Sequence, residues 1–362
     1  MSQLIARACR RAAKLMAVPI VALGIAVGQP ADAQLKKFAV QGGAPVPYIA
    51  FAPIYVGQQA GFFKEEGLEV EIRYASGAAQ ATQLAAAGQA DVAMITVEPS
   101  VNGYEKGIRG KIIFATNNHL IYYIAVAEDS PIKTVQDLKG KKIGVSNFGS
   151  SAVPVVRAIL RGAGIEPGAD TLVPVGVMDQ AMAALQSNTV QALGLFDGIY
   201  FGLERAGYKF RYIKHPTLAT LGNAGIFASD KVIAARRDDL CSFGRGFAKS
   251  VAFMVTNPEA ATRMWWTVSP AAKRGATDEE AMKNGLSETV SIARTYDVGF
   301  PPQAKYGAID HERFKSYLDL LKQEGVIASA PAVSELITDS FIGCINQFDA
   351  EKVRAMAKAW KG

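Results

Sequence analysis

From residue 37 onward, short apolar runs rich in β-branched residues alternate with longer stretches patterned as helices, and this alternation narrows the possible folds more than any other feature. Strands are expected at 37–40, 68–74, 92–95, 111–115, 122–127, 143–145, 171–175, 192–196 and 208–214. Helices are expected at 53–60, ended by Gly61, at 78–87, ended by Gly88, and at 99–106, 151–162 and 180–186. A helical turn at 134–138 leads into the strand at 143, and from about residue 238 the pattern is mainly helical. Strand–helix–strand units of this kind pack as parallel βαβ layers, so an α/β protein is expected. A chain of 362 residues exceeds one small core and suits two lobes.

The first 33 residues stand apart. Arg7, Arg10, Arg11 and Lys14 precede an almost wholly apolar run of about thirteen residues, and Ala31-Asp32-Ala33 places small residues at the two cleavage-determining positions. The run is shorter than the roughly 20 residues a spanning helix needs. A cleaved secretory signal peptide is therefore expected, with Gln34 as the mature N-terminus. Cys9 precedes the apolar core, so it is badly placed for lipidation, and a free periplasmic protein is expected. Arg10-Arg11 leaves twin-arginine and general export both open.

The leader holds four of the 39 basic residues and one of the 33 acidic ones, leaving 35 against 32. That near balance, with no clustered basic stripe, argues against a nucleic-acid binder. The mature chain keeps two cysteines, Cys241 and Cys344, at expected helix ends. An oxidising compartment permits them to pair, and two buried thiols are the alternative. His119, His215 and His311 are widely spaced and there is no cysteine cluster, so no metal site is expected. GxxxxGKS, HExxH and GxSxG patterns are absent too, and neither a cofactor nor catalysis is expected.

The stretch IYVGQQAGFFKEEGLEV from Ile54 to Val70, lying behind a secretory leader, resembles the first helix of the solute-binding proteins of bacterial ABC importers. The branch in question includes the NMT1/THI5-like and SsuA/TauA-like receptors. TVQDLKGKKIGV, GSSAVPVVRAILRGAGIEP and MAALQSNTVQALGLFDG extend the likeness into the second half, with Asn188 and Gln191 departing from the family's usual Gly and Asp. The resemblance implies a type II periplasmic-binding-protein fold, two α/β lobes joined by two crossing segments with a cleft between them. Lobe 1 would comprise 34–119 and 226–362, and lobe 2 would comprise 120–225. It further implies a monomer that captures a small molecule and presents it to an ABC permease and ATPase complex in the inner membrane. A periplasmic ligand-sensing subunit of a membrane signalling protein is an alternative. A THI5-like pyrimidine-synthesis enzyme is a weaker one, since the histidine and cysteine chemistry of such relatives is missing.

Ligands of open α/β sheets sit beyond the carboxyl ends of the strands. Four junctions therefore supply candidates: Tyr48 and Phe51 in the first loop, Ser76 and Gly77, Thr96 and Glu98, and Phe148, Gly149, Ser150 and Ser151. Ser76 is an expected N-cap. One glycine–serine junction in each lobe could clamp an anion on helix N-termini. Asn117, His119, Asp197 and Asn223 are added as polar selectors near the lobe crossings. Helix ends contribute at most about 2 kcal/mol each, against about 8 kcal/mol for micromolar affinity. Aromatic contacts and cleft closure are left to supply the rest, with Tyr48 and Phe148 the favoured rings. Arg157 and Arg161 lie too far along their helix to be chosen. The expected ligand is a small organic molecule, either anionic or a heterocyclic or aromatic compound.

Overall fold

The computed structural model describes residues 34–117, 121–214, 224–296, 305–323, 325 and 327–361; the expected leader lies outside them. In chain order the first half runs β1 (Lys36–Gly42), a 3-10 turn Ile49–Phe51, α1 (Ala52–Gln59), α2 (Phe62–Glu65), β2 (Leu68–Tyr74), α3 (Ala78–Ala86), β3 (Val92–Thr96), α4 (Val97–Glu105) and β4 (Gly110–Ala115). It continues with β5 (Tyr122–Ala127), β6 (Ile143–Val145), α5 (Ala152–Gly162), β7 (Leu172–Pro174), α6 (Asp179–Gln186), β8 (Ala192–Phe196), α7 (Asp197–Arg205), β9 (Phe210–Ile213) and β10 (Ala224–Ser229). The helical remainder is α8 (Asp230–Ala235), α9 (Arg237–Thr256), α10 (Pro258–Val268), α11 (Asp278–Tyr296), α12 (His311–Gln323), α13 (Val333–Leu336), α14 (Ile342–Ile345) and α15 (Ala350–Ala359). The expected elements appear within about two residues of their places; α2, α7 and β10 were not anticipated.

The strands form two five-stranded sheets, β2-β1-β3-β10-β4 and β7-β6-β8-β5-β9. The expected parallel pairings are present, and each sheet also holds one reversed strand. β10 runs antiparallel to β3 and β4, and β5 runs antiparallel to β8 and β9. The reason is the path of the chain. A segment leaving the carboxyl end of β4 enters the second sheet at the edge facing the first, so it must run against the strands whose carboxyl ends point there. The pairs Tyr122↔Phe196 and Ala224↔Thr96 record this, each setting the start of a crossing strand against the end of a forward one. β3 and β8 are buried along their whole length, which accounts for their unbroken apolar character.

The GFFKEEG stretch is a packing device. Phe62 and Phe63 are buried, and the Phe63 ring stacks on Phe243 of α9 with centroids 5.6 Å apart. Phe243 in turn stacks on Phe38 of β1 at 4.6 Å. Gly246 makes the approach possible, since a Cβ there would come within 2.5 Å of the Phe63 ring. Each buried phenylalanine contributes about 1.5–3 kcal/mol. Next to this core Glu66 pairs with Arg245 at 2.7 Å and Lys249 at 2.8 Å. Burial alone would raise the Glu66 pKa, but the hydrogen bonds from Arg245 and Lys249 outweigh it and hold it below the usual carboxylate value.

Cys241 of α9 and Cys344 of α14 are joined as a disulfide, with Cα atoms 5.6 Å apart across 103 residues of chain. It fastens the C-terminal helices to the helix that covers the first sheet. Among the described residues no helix is long and apolar enough to cross a membrane.

Candidate functional site

Two cavities lie where the sheets face each other, and the sequence-derived candidates divide between them. The first, about 40 Å³, opens at the carboxyl ends of β1, β3 and β8 and is lined by Tyr48, Phe51, Thr96, Asn117 and Asp197. The second, about 430 Å³, is a groove between α3 and α4 on one side and α5 on the other, and it takes Glu98, Phe148, Gly149, Ser150 and Ser151. Between the two stands a hydroxyl contact from Thr96 Oγ1 to Ser151 Oγ. Thr96 ends a strand of the first sheet and Ser151 precedes α5 of the second, so this contact joins the layers.

The first cavity is built from rings. Tyr48, ahead of the 3-10 turn, sits 4.7 Å from Phe51 and 4.5 Å from Phe196, so its ring reaches from the first sheet to the second. Tyr122 at the start of β5 and Tyr296 at the end of α11 add two more phenols to the wall. Tyr296 donates a hydrogen bond to the Ala50 carbonyl at 2.7 Å, which anchors the C-terminal helical segment at the cleft. Burial pushes the Tyr48 phenol well above its ordinary pKa, with Tyr122 and Asp197 adding to the effect. Burial raises Tyr122 too, as does the charge of Glu98, against hydrogen bonds with Ser151 and Thr96 that lower it. All these phenols therefore stay neutral and serve as hydrogen-bonding groups. Asp197, in the first turn of α7, accepts from the Gly198 N–H at 2.7 Å. It is the single charged residue among the described residues lining this cavity.

Several expectations are corrected. The two glycine–serine junctions press on each other. Ala79 N–H of α3 faces the Gly149 carbonyl at 3.4 Å, Asn147 Nδ2 donates to the Ser76 carbonyl, and a Cβ on Gly77 would lie 2.9 Å from the Gly149 oxygen. A carbonyl thus occupies the position where an anion was expected. Ser76 does not cap α3 with its side chain; its hydroxyl donates to Gln80 Oε1 at 2.9 Å, while Ser76 itself is exposed. Ser150 Oγ accepts from Ala152 N–H at 3.2 Å, a local bond at the start of α5. Glu98, proposed as a ligand partner, is 1 % exposed and takes a hydrogen bond from the Tyr317 hydroxyl. Asn117 Oδ1 accepts from Ala224 N–H at 2.8 Å and so tacks the returning strand to the first sheet. Phe148 is 62 % exposed and lines the outer groove instead of the ring-walled cavity. His119 and Asn223 lie outside the described residues.

Tyr296, Tyr317 and Thr116 are not among the sequence-derived candidates. Tyr296 reaches Ala50 across 246 residues, and no local pattern marks such a pairing. Among the described residues no group of three or more His, Cys, Asp or Glu is placed to hold a metal ion.

Comparison with known proteins places these features in context. A family model described as NMT1/THI5 like matches residues 49–261. The riboflavin-binding protein RibY of Chloroflexus aurantiacus is 22% identical over 300 residues, covering 82% of this chain and 84% of that one. A putative thiamine biosynthesis protein of Haemophilus influenzae is 23% identical over 299 residues, covering 78% and 86%. Among solved structures, the alkanesulfonate-binding protein SsuA of Xanthomonas axonopodis pv. citri, bound to MOPS, superposes with a TM-score of 0.64 at 15% identity, covering 83% of this chain and 98% of that one. The shared architecture is the periplasmic-binding-protein fold, with its two mixed α/β sheets.

Proposed function

This chain belongs to the NMT1/THI5-like family, and from that premise we propose that it is a periplasmic receptor that closes over one small ring compound and hands it to an ABC importer. In this reading the two sheets are the cores of the two lobes. The observation that carries the ligand class is the wall of the ring-lined cavity: three neutral phenols, Tyr48, Tyr122 and Tyr296, with Asp197 and no cation among the described lining residues. A sulfonate or carboxylate entering it would be desolvated beside the Asp197 carboxylate, with no cation among the described lining residues. A planar compound bearing N–H or O–H donors would instead stack on the tyrosines and donate to Asp197. The earlier expectation of an anion clamp gives way to a neutral or cationic heterocycle.

A cavity of about 40 Å³ is far below the roughly 300–1,000 Å³ that ligand pockets span, so the sheets must part to admit such a compound and then close on it. Support for delivery to an importer comes from relatives of the same fold, one of them titled as the ligand-binding component of an ABC-type import system. Binding and release require no bond chemistry.

The test is calorimetric titration of the protein from Gln34 with riboflavin, aminopyrimidines, alkanesulfonates and benzoate, repeated on Asp197→Asn. Binding confined to the donor-bearing heterocycles, weakened about tenfold or more in Asp197→Asn, supports the reading. Tight binding of the sulfonates or benzoate alone refutes it.

A further inference from the structure

The outer groove has a chemistry opposite to that of the ring-lined cavity. Its volume of about 430 Å³ falls in the range of small-molecule sites. Two carboxylates line it, and both are engaged by the protein: Glu98 by the Tyr317 hydroxyl, and Glu105 by the N–H groups of Ala328 at 3.1 Å and Ser329 at 3.0 Å. Arg161 is likewise committed, with Glu166 held at 2.7 Å and the Gly325 carbonyl at 3.3 Å. Lys106 and Arg157 remain, lining the same groove, both exposed and with no side-chain hydrogen bond or ion pair among the described residues, Arg157 having only the longer-range attraction of Glu166. Phe148 stands with them, 62 % exposed where large apolar side chains are ordinarily covered.

We propose that this groove is a second ligand site, separate from the ring-lined cavity, for a small organic anion carrying a ring. Lys106 and Arg157 take the anionic group, and the ring lies on Phe148. The two cations come from opposite sides: Lys106 closes α4, which packs on the first sheet, and Arg157 projects from α5, which packs on the second. An anion held by both ties the sheets together, so occupancy of the groove favours the closed arrangement and raises affinity in the inner cavity, and the converse holds by linkage. The groove would then report an anion in the surroundings while the inner cavity selects the transported compound.

Phenyl phosphate is a suitable probe, measured by calorimetric titration at low and high salt against inorganic phosphate. The wild type should bind it in a salt-sensitive manner, and Lys106→Gln and Arg157→Gln should each weaken it about tenfold. Phe148→Ala should weaken phenyl phosphate while leaving inorganic phosphate unchanged, and Asp197→Asn should strengthen neither. All three groove side chains are exposed, so unaltered melting curves will confirm that the variants fold. No binding at millimolar phenyl phosphate, or equal affinity in the charge variants, overturns the proposal. A gain in Asp197→Asn overturns it also, by placing the anion beside that carboxylate in the inner cavity. Failure of the heterocycle reading leaves the outcomes for Lys106, Arg157 and Phe148 untouched, because those residues do not line the inner cavity.

Discussion

Breaking the link between Cys241 and Cys344 should destabilise the protein by an amount set mainly by the length of chain it closes. The loop spans 103 residues, for which the chain-entropy account gives about 4.7 kcal/mol at 25 °C. Native contacts around the bridge persist without it. Arg245 Nη1 still donates to the Cys344 carbonyl at 3.2 Å, and α9 still packs on α14, where a Cβ at Gly244 would lie 2.4 Å from Ile345. The loss should therefore come from greater freedom of the unfolded chain. In a protein of this size each kcal/mol moves Tm by about 2 °C, so a fall of about 10 °C is expected. The assay compares thermal and urea unfolding of oxidised wild type, wild type reduced with a phosphine, and the Cys241→Ala, Cys344→Ala double variant. Reduced wild type and the variant should agree within about 1 kcal/mol, with m-values above that of the oxidised protein because their unfolded chains expose more surface. Coincident unfolding of all three would refute the reasoning and show that packing alone holds the C-terminal helices.

Three further outcomes follow from the geometry. Gly77→Ala places a methyl 2.9 Å from the Gly149 carbonyl, so it should hold the sheets apart and weaken ligand binding in the inner cavity severalfold at unchanged Tm; unaltered affinity would mean that the two junctions separate when ligand is bound. Phe63→Ala removes the ring stacked on Phe243 and should cost about 3–5 kcal/mol in urea unfolding, whereas a loss under about 1 kcal/mol would contradict the packing role given to GFFKEEG. Glu66 has a folded pKa below its unfolded value, so the stability it contributes is present above the ordinary carboxylate range and is lost as pH falls through the folded value. Glu66→Gln should accordingly flatten the decline in stability below about pH 5, and an identical acid profile for variant and wild type would rule that out.

The local elements were legible because their signals are local. Gly61 and Gly88 end helices, and Leu68–Tyr74 and Ala192–Phe196 carry runs that only strands bury on both faces or on one. β10 was hidden because Ala224–Ser229 is short, begins Ala-Gly and owes its strand conformation to β3 and β4 on either side. Most candidate residues at strand ends line the two cavities, since the carboxyl ends of β1, β3 and β8 open onto them by topology. Their partners were not legible. Glu98 meets Tyr317 across 219 residues, and Gly149 presents its carbonyl to α3 from the other sheet.

Periodicity, glycine placement and junction chemistry depend on residues a few positions apart, so the amino-acid sequence alone determined an α/β chain with its strands, its helices and the GFFKEEG likeness. The reversal of β5 and β10, the joining of Cys241 to Cys344 and the separation of a tyrosine-walled cavity from a cationic groove were decided only by the tertiary structure. Each of these depends on side chains or strand ends brought together from distant parts of the chain, where direction and distance, and not residue type, choose the partner.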